Sequence, residues 1–260
     1  LLAKNRVYGI PGEDSGPTFA NITRGGGVVI VTFGHAVGGL VTRDTDRMRR
    51  YREYLDYHEG RRGGPPRTGR DRVHTFNYAR AIVEKGASYL VTDHRPLVHP
   101  LADSVEARRE AVAAEALLRE TWEANDLARL DIETEIDTAT LGDGAFKVTW
   151  DEHEQRVIVS APDVQGLYVW WHGDDVRRVS RVAAPPDVQT WTPGRFDLWV
   201  QDDLVESRAN PYGAIPYVIY PNLPRPKQFW GVSDIEPIKE PLEELNRALT
   251  QLGREVLRLR

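Results

Sequence analysis

The spacing of apolar positions changes period along the chain. From Asp44 to Glu59, Met48, Tyr51, Leu55 and His58 recur at intervals of three, four and three, the stripe of an amphipathic helix. Asp44 or Asp46 can cap its start, and Gly60 ends it. A second helix is expected from about Val73 to Lys85. A third, from Asp103 to Asn125, carries Ala107, Ala111, Ala114, Leu118 and Trp122 in register with mixed charges elsewhere. A fourth, more acidic, runs from Asp126 to Leu141 and stops at the turn Gly142-Asp143-Gly144.

From Ala145 to Tyr220 the period becomes two. Phe146, Val148 and Trp150 alternate with polar residues, as do Val157 and Val159, Val169 and Trp171, Val179 and Arg181, and Phe196, Leu198 and Val200. Ile215 to Tyr220 closes the series, and Asp, Gly or Pro clusters separate the runs. This predicts an antiparallel sheet or small sandwich. A proline-rich basic linker, 221–227, then leads to a helix from about Ser233 onward.

That last helix has the longest unbroken pattern. Ile235, Ile238, Leu242, Leu245, Leu249, Leu252, Val256 and Leu259 are spaced alternately by three and four, an a/d seam that calls for a partner. Ser233 with Glu236 reads as a capping box, and Pro241 as a kink or restart. The seam reaches Arg260 without a glycine or proline stop, so a longer helix is expected. Its outer part, Leu249, Leu252, Val256 and Leu259, is the candidate oligomer interface.

Composition narrows the functions open to such a chain. Its 260 residues carry 34 Lys and Arg against 39 Asp and Glu, a net charge of −5, so any DNA contact must be local rather than a coating of basic charge. The one local concentration is the loop 61–72, where Arg61, Arg62, Arg67, Arg70 and Arg72 surround two glycines and two prolines. It is a candidate DNA- or anion-contacting loop, although a solvated loop is an equal alternative because no aromatic is interleaved. A 40% hydrophobic fraction supplies a core, while mean hydropathy of −0.48 indicates a well-solvated exterior. With no cysteine, disulfides, thiolate metal sites and cysteine nucleophiles are excluded. The longest apolar stretch, Gly25 to Leu40, is too short and glycine-rich to span a membrane.

The pattern of an active site is missing as well. The chain has no phosphate-binding loop, nucleophile elbow, zinc helix motif or calcium loop. His94 and His99 flank Pro96 in a poor geometry for one metal, and the expected metal, cofactor and catalytic sets are empty. Gly142 and Gly144 read as turn glycines rather than a ligand grip, and Asp174-Asp175 and Asp202-Asp203 as exposed turns rather than paired catalytic carboxylates. Five of the seven tryptophans fall between Trp150 and Trp199. They would suit a sugar-stacking face, but Trp150 and Trp171 continue the apolar alternation and read as core or subunit contact.

Three ordered blocks carry a family resemblance. The first is Tyr51-x-x-Tyr54-x-x-Tyr57-x-x-Gly60 followed by the basic loop, Asn77-Tyr78-Ala79-x-x-Ile82-Val83 and Tyr89-Leu90. The second is Trp122-x-x-Asn125, an acidic helix, Gly142-x-Gly144-Ala145 and a strand ending Trp150-Asp151. The third runs Asn210-Pro211-Tyr212-Gly213-x-Ile215-Pro216, Asn222, Trp230-Gly231-x-Ser233-Asp234-Ile235 and Leu242-x-x-Leu245-Asn246. In order, spacing and residue type, residues 44–260 resemble portal proteins of tailed bacteriophages of the SPP1-type (Gp6-like) family.

The resemblance implies an α+β portal wing: a helix-rich N-terminal half, an antiparallel β-rich lobe and a long C-terminal helix leading toward a stem, clip and crown. The expected organisation is an irregular arm over 1–43 around one short strand, Val28 to Phe33, a helical part of the wing over 44–141, a β-rich lobe over 142–222, and linker and helix over 223–260. It also implies a non-enzymatic ring subunit, twelve copies at the capsid vertex of the virion, through which double-stranded DNA is packaged and ejected. Its partners would be further copies of itself, the terminase, and capsid and head-completion proteins, with assembly in the host cytoplasm. Two other readings stay open: a β-rich module binding carbohydrate or peptide, and a metal-assisted hydrolase built on the aspartate pairs and histidines.

Overall fold

The computed structural model of the protein describes residues 18–22, 28–32, 44–61, 76–91, 95–173, 175–184, 188–200 and 203–258. The fold is α+β. Chain contacts divide it into two compact units, one of residues 1–53 with 163–216 and one of 54–162 with 217–260. The expected β-rich lobe is therefore shared between them. Strand β10 (Tyr217–Pro221) pairs antiparallel with β3 (Asp143–Asp151), Val218 opposite Phe146, so everything between β4 (Arg156–Ser160) and β10 is an excursion into a second sheet. Alternation shows that strands exist. It carries no information on which distant strand each one meets.

The first unit contains a hairpin of β1 (Thr18–Ile22) and β2 (Val28–Thr32), where the sequence pattern suggested one strand. The first half of helix α1 (Thr45–His58) follows. The rest is a five-stranded antiparallel meander: β5 (Tyr168–His172), β6 (Asp175–Ala184), β7 (Val188–Trp191), β8 (Arg195–Val200) and β9 (Asp203–Ala209) in sequence order. Its core holds Leu167, Tyr168, Val169, Val182, Ala183, Val188 and Phe196. Trp191 packs there with its ring centre 4.4 Å from Phe196 and 6.0 Å from Tyr212. Arg47 is buried with its guanidinium 5.9 Å from the Tyr168 ring centre, held by Asp44 at 2.8 Å and by the carbonyls of Val164 and Leu167 at 3.1 and 2.7 Å.

The second unit contains α2 (Tyr78–Leu90), α3 (Val105–Ala124), α4 (Leu127–Leu141), the sheet β10-β3-β4, and α5 (Lys239–Arg258). Helix α2 starts later and ends later than its pattern suggests. Asn77 caps it, accepting from the Arg80 amide at 3.1 Å, and Gly86 sits in open space where it does not interrupt the helix. Along α1 the buried positions are Arg47, Met48, Tyr51, Tyr54 and Tyr57, while Leu55 and His58 are half-buried. Along α3 only Ala111 of the expected stripe is buried, and Leu118 faces solvent; the helix packs mainly on α4 and β4.

Candidate assembly surface and the junction that positions it

The C-terminal helix is set by a junction built from short polar residues. Helix α4 closes at Gly142, whose φ of 99° favours glycine and whose amide donates to the Thr138 carbonyl at 2.7 Å. A helix end leaves its last carbonyls without intrahelical donors. Here the Ala139 carbonyl takes the Asp234 amide at 2.9 Å, and the Ser233 hydroxyl reaches the Thr140 carbonyl at 2.6 Å. The same hydroxyl oxygen accepts from the Ile235 amide at 3.0 Å. Ser233 is fully buried; its hydroxyl donates to the end of α4 and its oxygen accepts from the Ile235 amide, tying that helix end to the segment that leads into the C-terminal helix.

Asn222 supplies the other half of the junction. Its amide donates to the Gly142 carbonyl and its carbonyl accepts from the Val232 amide, both at 2.8 Å. Its side-chain nitrogen reaches the Val232 carbonyl at 3.0 Å and the Asp234 carboxylate at 2.8 Å. Buried Asp143 accepts from the Gly231 amide at 2.8 Å. Gly231 and Gly144 are required by closeness: a Cβ on the first would collide with the Asn222 and Gly142 carbonyls, and one on the second with the Thr138 hydroxyl and the Tyr220 ring. The expected capping box is corrected in detail. The Glu236 amide bonds the Ser233 carbonyl rather than its hydroxyl, whose oxygen takes the Ile235 amide instead, and the Glu236 carboxylate pairs with Lys239 at 2.8 Å.

Electrostatics mark the same place. Burial, aided by the Asp234 carboxylate, pushes the Glu135 carboxyl above the ordinary carboxylate range. Burial also raises the Tyr220 phenol, raises Tyr217 to about 12 and lowers the Lys147 ammonium. Each shift disfavours the charged form.

After the junction, Ile235 is fully buried, a 3₁₀ turn spans Glu236–Ile238, and α5 begins at Lys239. Pro241 lies in the first turn of α5, where the missing amide costs no intrahelical bond, so it starts the helix rather than kinking it. The Tyr57 hydroxyl donates to Glu243, Lys239 lies 5.6 Å from the Tyr54 ring centre, and the Phe76 amide donates to Asn246 at 2.9 Å. These contacts turn Leu242 and Thr250 inward, with Asn246, Leu249 and Gly253 half-buried. The other side of the seam faces out: Leu245 is 40% exposed, Leu252 61% and Val256 49%. Leu259 lies outside the described residues.

The asparagines of the family-like blocks turn out to be backbone stitches. Asn77 donates to the His58 carbonyl at 2.7 Å, tying the end of α1 to α2. Asn125 donates to the Val157 carbonyl at 3.0 Å and accepts from the Val159 amide at 2.9 Å, occupying the outer edge of β4. Asn210 donates to the carbonyls of Thr192 and Ala214, both at 2.8 Å. Spacing alone did not reveal these roles; the only signal was the recurrence of asparagine at the ends of periodic runs.

The remaining candidates are not gathered into one place. Arg61 follows α1 directly, and its guanidinium pairs with Asp56 at 2.9 Å and with Glu59, so it belongs to the helix end rather than to a free basic loop. Arg62, Arg67, Arg70 and Arg72 lie outside the described residues, as do Asp174, Asp202 and His94. Asp175 and Asp203 are exposed at the starts of β6 and β9, and His99 is exposed. Among the described residues no three metal-capable side chains converge. Trp150, expected in the core or in a subunit contact, is 46% exposed on β3, and Val148 on the same face is exposed too, so it is not a core residue of this chain. Trp170, Trp171, Trp191 and Trp199 belong to the other sheet, with the Arg181 guanidinium 4.1 Å from the Trp170 ring centre. No helix among the described residues is long and apolar enough to cross a membrane. Compared with known proteins, the chain matches no protein-family model and no curated protein.

Proposed function

We propose that this chain is a structural subunit of a phage portal ring, the channel for double-stranded DNA at the capsid vertex, with no catalytic role. The observation that carries the reading is the outward apolar side of α5. Leu245, Leu252 and Val256 form a stripe on a helix whose opposite side is fixed by the junction. Exposed leucines at heptad spacing are stabilised only when another helix covers them. The three family-like blocks support the same reading, since several of their residues, among them Tyr57, Gly144, Asn222 and Ser233, build the junction or contact this helix. In this reading the subunit meets copies of itself in the virion, and terminase, capsid and head-completion proteins at the assembled ring.

Of the five tryptophans between 150 and 199, Trp150 lies on the three-stranded sheet and four on the five-stranded one, where Trp191 is buried in the core against Phe196. The test is negative-stain electron microscopy of the protein and of Leu252→Asp. Rings of about a dozen copies are expected for the first. Leu252→Asp should remain folded by circular dichroism and form no rings. Monomers only in both samples, at all concentrations, would remove the proposal.

A further inference from the structure

Strand β9 is an open edge. Among the described residues it pairs only with β8, and all seven of its residues, Asp203 to Ala209, are exposed, Leu204 and Val205 among them. Native sheets usually protect such an edge with charges that repel a second strand in every register. The charges here do something different. Glu206 and Arg208 stand two residues apart on one face, paired to each other at 3.1 Å, with the Arg208 guanidinium 5.0 Å from the Phe196 ring centre.

If two copies pair antiparallel through β9 in one continuous sheet, the two-fold axis passes through a residue. Opposed residues then share a face. An axis at Glu206 sets Glu206 against itself, and one at Arg208 sets Arg208 against itself. An axis at Val205 opposes Glu206 to Leu204. Only an axis at Ser207 opposes Glu206 to Arg208 of the second copy, and does so twice, within the regular stretch Glu206 to Ala209 that follows the bulge at Val205. We infer that β9 is a self-pairing edge that joins two copies of this chain about Ser207, merging two five-stranded sheets into one of ten. The contact is two-fold, whereas a ring repeats head to tail, so it is distinct from the proposed ring interface and does not rest on it.

The chain has no cysteine, so a single introduced thiol reads the register directly. An axis at Ser207 brings the two Ser207 Cα atoms to about 4.5–5.5 Å, within disulfide reach. The two Val205 Cα atoms would be separated by about four residues of strand, roughly 13 Å, which is out of reach. Full-length Ser207→Cys should therefore form a covalent dimer on mild oxidation, and Val205→Cys, equally exposed, should not. Adding Arg208→Glu to Ser207→Cys should cut the cross-linking yield roughly tenfold, since two attractive pairs become repulsive, and adding Glu206→Arg as well should restore it. Circular dichroism confirms that each variant is folded. Equal cross-linking at the two positions, or charge reversal without effect and without rescue, would overturn the inference. Loss of rings in Leu252→Asp with Ser207 cross-linking intact would separate the two contacts.

Discussion

The two sides of α5 are made of the same residue types and behave in opposite ways. Leu242 is buried and Leu252 is mostly exposed, ten residues apart on one helix. What separates them is the junction at 139–144 and 222–235. By tying the open end of α4 to the segment just before α5 through the same serine and asparagine, it sets how the seam enters the helix and so which side turns inward. Periodicity decides that a helix is amphipathic, and tertiary hydrogen bonds at its start decide what its apolar face meets.

The strongest way to break this asymmetry is at the junction itself. Gly144→Val would push two methyl groups into the Thr138 hydroxyl and the Tyr220 ring where even a Cβ does not fit. We expect a loss of about 3 kcal/mol or more in urea unfolding, or no folded protein. A loss below about 1 kcal/mol would mean that the contact between α4 and β3 is not tight.

The next effect compares the two sides of the helix directly. Leu242→Ala removes a buried side chain and should cost about 2–4 kcal/mol, while Leu252→Ala should fall within about 0.5 kcal/mol in the unassembled chain. Equal losses in the monomer would show that Leu252 is covered from within, and the exposed stripe would lose its meaning as an assembly surface.

These contrasts also show how much was legible in the sequence. The four N-terminal helices, the change to strands and the final helix all follow from local spacing, because amphipathic periods are properties of neighbouring residues. Boundaries moved where a cap intervened, as at Asn77. Pairing of β3 with β10 across some seventy residues had no local signal, so one expected lobe became parts of two units. The seam of α5 was visible, but the heptad pattern puts Leu252 inside it and Thr250 outside, whereas in the fold Thr250 is buried and Leu252 exposed. Gly142, Gly144 and Asn222 were visible as residues worth noting, and their joint role was not, since it exists only once α4, β10 and the segment before α5 meet.

The smallest expected effect tests the electrostatics of the same junction. In the folded protein Glu135 holds its proton to higher pH than in the unfolded chain, because burial and Asp234 both disfavour its carboxylate. Between the ordinary carboxylate value and the raised one, the native state binds more protons than the unfolded state. Stability contributed by this residue is therefore fully present below the unfolded value and falls as pH rises through the window. Asp151 acts with the opposite sign: amides of Glu154 and His153 stabilise its carboxylate, so its contribution is present above the unfolded value and is lost as pH falls through the lowered one. Glu135→Gln removes only the first of these. Relative to wild type, the variant should gain stability steadily as the pH is raised from the acid range past the carboxylate window, then hold a constant advantage. Urea midpoints of the two proteins across that range measure it. A difference that is independent of pH would mean that Glu135 titrates as it does in the unfolded chain, and that the Asp234 carboxylate is not felt there.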